Sequence, residues 1–92
     1  MDMSSKWRKF FVEWPECVGP NGVVITDFEQ IPFVAYMLQE HFVLLERRTP
    51  DTVGARRVLV PYSEIRSVKL CNPVKTEELA QCGFRQMTAV KA

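Results

Sequence analysis

Met3, Trp7, Phe10, Phe11 and Trp14 recur at the three- and four-residue spacing of one helix face, while Lys6, Arg8, Lys9 and Glu13 occupy the other. The spacing predicts an N-terminal helix over residues 3–14, with Ser4 or Ser5 placed to cap its start and Pro15 to end it. Cations in the first turns oppose the helix dipole, so this helix depends on tertiary packing. Its aromatic face suits a cover over a sheet. Trp and Phe against Lys and Arg also suit a membrane surface, but the helix is short for that role.

After the turn cluster Gly19-Pro20-Asn21-Gly22 the period changes from helix to strand. Val23-Val24-Ile25-Thr26 is β-branched throughout, and Asp27 to Gln30 reads as a turn or bulge. A second strand is predicted over Ile31 to Gln39, with Pro32 near its start, where a missing donor is tolerated. The short break Gln39-Glu40-His41 leads into a third strand, Phe42 to Arg47, as a hairpin. A longer loop, Arg48 to Arg56, precedes a fourth strand, Arg57 to Pro61. Ile65 must be buried beside Val68, which requires the face to reset; a 3₁₀ turn at Pro61 to Glu64 does so before a final strand, Ile65 to Leu70. Asn72-Pro73 ends the sheet, and Thr76 is placed to cap a short helix within residues 73–83, with Glu77 and Glu78 complementing its dipole. Gly83 suits the position past its end, with Phe84 folding back on Leu79 or Ala80, and residues 85–92 read as a tail.

This order predicts one mainly-β domain over residues 1–92: an N-terminal helix, a small five-stranded SH3-like barrel over residues 22–71, and a short C-terminal helix. From Gly22 to Leu70 the chain resembles the Sm-like variety of that barrel. The resemblance rests on Phe42-Val43-Leu44-Leu45 and on the run from Val58 through Pro61-Tyr62-Ser63-Glu64 to Val68. It implies a strongly bent five-stranded sheet behind the helix, and rings of subunits joined by pairing the fourth strand of one copy with the fifth of the next. Ring closure would remove the two edges that so small a barrel leaves open. The family's RNA pocket uses an Asp/Asn pair and a basic-Gly turn; this chain has Gln39-Glu40-His41 and Tyr62-Ser63-Glu64 at those places, so the pocket does not carry over.

Composition narrows the functions. At 92 residues the chain supports a single marginal core, and 47% hydrophobic residues with 25% charged exclude a disordered chain. A net charge of +1 excludes a strongly basic nucleic-acid binder, leaving room for a local patch. Arg47, Arg48, Arg56 and Arg57 flank the longest loop and form a candidate phosphate-binding cluster; the bland alternative is a solvated strand end. His41, the one imidazole, is a further candidate for base stacking or a pH-sensitive contact. Cys17, Cys71 and Cys82 are odd in number and widely spaced, which favours reduced thiols, a cytoplasmic setting and no zinc site. No signal peptide or membrane span is visible, and no phosphate-loop, dinucleotide or zinc-protease motif occurs. The expectation is a non-enzymatic, homo-oligomeric interaction or scaffold module without metal, cofactor, small-molecule substrate or membrane partner. RNA binding through the arginines is the second reading.

Overall fold

The N-terminal helix α1 (Met3–Val12) ends two residues before Trp14 in the computed structural model, which describes residues 3–85. Ser4 and Ser5 lie inside the helix rather than at its cap. Trp14, already beyond the helix, stacks on Phe11 with ring centroids 5.3 Å apart, and Phe11 sits edge-on to Tyr36 at 5.2 Å. Phe11 is buried to 1% exposure and Tyr36 Oη donates to its carbonyl at 3.2 Å, so an aromatic cluster holds the helix against the sheets. A 3₁₀ turn (Glu16–Val18) then buries Val18.

The strands are β1 (Gly22–Ile25), β2 (Gln30–Phe33), β3 (Ala35–Leu38), β4 (Phe42–Glu46), β5 (Arg57–Pro61) and β6 (Ser67–Leu70). They form two three-stranded antiparallel sheets, ordered β2-β1-β6 and β3-β4-β5. The single strand expected over Ile31 to Gln39 is therefore two, parted at Val34. That residue's N–H bonds to the Glu46 carbonyl at 2.8 Å as the chain passes from one sheet to the other. Ile31 and Phe33 are buried in β2, whereas Tyr36 packs on the core from β3; the inward parity flips across the bend. The core between the sheets is Val24, Ile31, Phe33, Val43, Leu45, Val60, Tyr62 and Ile65, covered by Phe11.

The expected 3₁₀ turn is present at Tyr62–Glu64, and Ile65 is buried just ahead of β6. Tyr62 donates its N–H to the His41 carbonyl at 3.2 Å and its hydroxyl to the Gln39 carbonyl at 2.9 Å, which fixes the β3–β4 turn. Burial pushes the Tyr62 hydroxyl up from its ordinary pKa. The C-terminal helix α2 (Thr76–Ala80) is shorter than residues 73–83. Thr76 is its first helical residue and not its cap; the Lys75 N–H instead donates to the Glu78 carboxylate at 3.2 Å. Beyond it the Phe84 N–H returns to the Leu79 carbonyl at 3.3 Å. Of the expected tail, residues 86–92 lie outside the described residues.

Candidate interaction surface

Among the described residues β2, β3, β5 and β6 each have a strand neighbour on one side only. Along β5, the bonds Arg47 N–H to Arg56 O (2.8 Å) and Tyr62 N–H to His41 O (3.2 Å) place even-numbered residues in the ladder with β4. Arg57 and Leu59 therefore turn their N–H and C=O groups away from the sheet, and Pro61, with no N–H to lose, shares that side. The bond from Thr26 N–H to Glu29 O fixes the parity of β1 in the same way. Gly22 and Val24 bond to β2, so Val23 and Ile25 serve β6, and Val68 and Leu70 of β6 point their backbone groups outward. Pro32, opposite Val23, likewise faces away from β1 at no cost in ladder bonds.

The outer face of β3-β4-β5 is apolar where a solvated sheet would be polar. Met37, Leu44 and Leu59 stand in register across it, with Met37 67% and Leu59 56% exposed. With Leu38, Gln39 and Phe42 they line a groove of about 240 Å³. The next row towards the long loop is Glu46 opposite Arg57, their side chains 4.0 Å apart. This row of three hydrophobes escaped the sequence reading. Leu59 was visible in principle as the odd member of Val58-Leu59-Val60, where a half-buried strand should alternate.

The five predicted site residues do not form one site. Arg47 and Arg56 occupy opposed ladder positions, and Arg47 and Arg48 line a groove of about 310 Å³ with Asn21, Pro32, Val34 and Thr49. Arg47 Nε donates to the Thr49 carbonyl at 3.1 Å, while Arg57 faces Glu46. The intervening loop is ordered by Asp51. Its Oδ1 accepts N–H bonds from Ala55 (2.8 Å) and Val53 (3.0 Å), and these hold its carboxyl below the ordinary range. His41 is at the other end of β4, beside Glu40 at 4.0 Å, in a cleft of about 610 Å³ that also takes in Arg8, Phe42 and Ser63. Among the described residues no three His, Cys, Asp or Glu gather as a metal site, and no helix is long and apolar enough to cross a membrane.

At the far end of the β1–β2 hairpin, Phe28 is 87% exposed on a turn whose backbone is firmly tied. Thr26 Oγ1 accepts the N–H groups of Phe28 and Glu29, each at 3.2 Å. Asp27 is held bidentately by Arg66 with both contacts at 2.9 Å, and that pairing lowers its carboxyl pKa. No family model matches this chain, and neither a curated protein nor a solved structure matches it.

Proposed function

We propose that this chain is a non-enzymatic, self-associating interaction module of Sm-like barrel type. In this reading the bent β2/β3 pair counts as one strand of a five-stranded open barrel, and β5 of one copy accepts β6 of the next. The observation that carries it is that β5 and β6 each present an unpaired edge: the outward N–H groups of Arg57 and Leu59 on one, and those of Val68 and Leu70 on the other. Each copy then uses a different surface at its two contacts, the head-to-tail arrangement that builds a ring when its rotation closes and a filament when it does not. A reducing cytoplasmic setting belongs to the proposal and accords with the exposed free thiols of Cys71 and Cys82. The substitution Leu59→Pro tests it, because this N–H points away from β4 and its loss leaves the internal ladder intact. The variant is expected to stay folded by circular dichroism but to lose mass in multi-angle light scattering. Equal masses for the two proteins refute edge pairing.

A second reading, RNA binding, is favoured by one observation: Arg47 and Arg48 share a groove, with Arg56 opposite Arg47. Filter binding of mixed-sequence RNA at low salt tests it. The reading expects affinity that falls steeply with salt, with a slope of about 0.7 per neutralised phosphate. It also expects loss of binding in Arg47→Ala/Arg48→Ala. No retention at low salt removes it.

A further inference from the structure

We infer that the apolar outer face of β3-β4-β5 is the seat of a second copy of this chain, whose Val68 joins the row Met37, Leu44 and Leu59; the inference rests on the edge-pairing reading above. In an antiparallel pair, directly opposed residues carry their side chains on the same face. The outward backbone groups of β5 belong to Arg57 and Leu59, whose side chains stand on the outer face, away from the buried Val60. Those of β6 belong to Val68 and Leu70, and Val68 packs towards its own core. The register that uses both groups on each strand sets Val68 of the second copy against Leu59, and its Leu70 against Arg57. The next pair, Pro61 with Arg66, ends the ladder on both strands: Pro61 has no N–H, and that of Arg66 is bonded to the Ile25 carbonyl at 2.8 Å.

The side that Val68 turns to its own core thus meets the side that Leu59 turns to solvent, and the body of the second copy stands over the outer face. A polar face would lose its hydration there without return; Met37, Leu44 and Leu59 make the face apolar. The parity of the two edges and the composition of the face are separate observations, and one arrangement accounts for both. Direction follows from the same row. Parallel pairing through these groups would set Lys69 against Leu59. Antiparallel pairing turns Lys69 to the opposite face of the sheet, where the acids beside β5 are Glu29 and Glu64.

Leu59→Thr and Val53→Ala test the assignment together. Threonine keeps the N–H and the strand preference at position 59 while removing the apolar side chain, and Val53, 86% exposed on the long loop, is the control. Sedimentation equilibrium of both variants and of the unaltered chain reads the association constant, and circular dichroism reports the fold. The expected result is a weakening of at least about tenfold for Leu59→Thr, with Val53→Ala unaltered and all three spectra alike. If Leu59→Thr associates as tightly as the parent while Leu59→Pro does not, the seat is overturned and edge pairing stands. If the parent itself stays monomeric, edge pairing fails and the seat falls with it.

Discussion

Replacing Gly19 by alanine should destabilise this protein more than any other single-methyl change in its turns. Gly19 adopts φ 77° and ψ 160°, a region that side-chain-bearing residues avoid at a cost of about 1–3 kcal/mol. A Cβ there would also lie 2.5 Å from Asn72 Nδ2. That amide ties the turn to the end of β6 by donating to the Val18 carbonyl at 2.6 Å and to Asn21 Oδ1 at 2.7 Å. Displacing it forfeits both bonds, about 1 kcal/mol each. The total is about 3–5 kcal/mol, a large part of the roughly 5–14 kcal/mol expected for a domain of this size. Gly54 supplies the comparison: its φ is 89°, but a Cβ there meets nothing within 4 Å. Gly54→Ala should therefore show the backbone penalty alone, about 1–2 kcal/mol. Urea denaturation of both variants reads the difference from the midpoints at a common slope. A Gly19→Ala variant no less stable than Gly54→Ala would refute the role given to Asn72.

Phe11→Ala should cost about 3–5 kcal/mol in the same denaturation assay, because it opens a cavity where Phe11 meets Trp14, Tyr36 and Phe33. Tyr62→Phe, which removes the bond to the Gln39 carbonyl, should cost about 1 kcal/mol and increase hydrogen exchange in the Gln39 to His41 turn. Asp27→Asn probes the pair with Arg66. The folded-state pKa of Asp27 is lowered, so its stabilisation is fully present above the unfolded value of about 3.9 and is lost as pH falls through the folded value. Parent and variant melts should therefore differ at pH 7 and converge at strongly acidic pH; a gap that persists in acid contradicts the pairing.

Much of the architecture was legible because local signals agreed with one another. The i, i+4, i+7 aromatic face predicted α1, and the mismatch between Ile65 and the preceding strand parity required the 3₁₀ turn found at Tyr62–Glu64. The bend at Val34 was hidden because Ile31 to Leu38 is apolar throughout. With both parities hydrophobic, periodicity cannot register a change of face. Thr76 attracted the cap assignment by residue type, yet the Glu78 carboxylate bonded to Lys75 N–H does the work at that end. The site was less legible. Arg47, Arg48, Arg56 and Arg57 are adjacent in the hairpin, but strand alternation and the Glu46 contact divide them, and His41 is separated from them by the length of β4.

Pairing of the β5 edge of one copy with the β6 edge of the next is tested most directly by sedimentation equilibrium of the unaltered chain over a range of concentrations. Edge pairing predicts a discrete multiple of the 10.7 kDa chain mass, approached as concentration rises. A single species at the monomer mass across the range would contradict it.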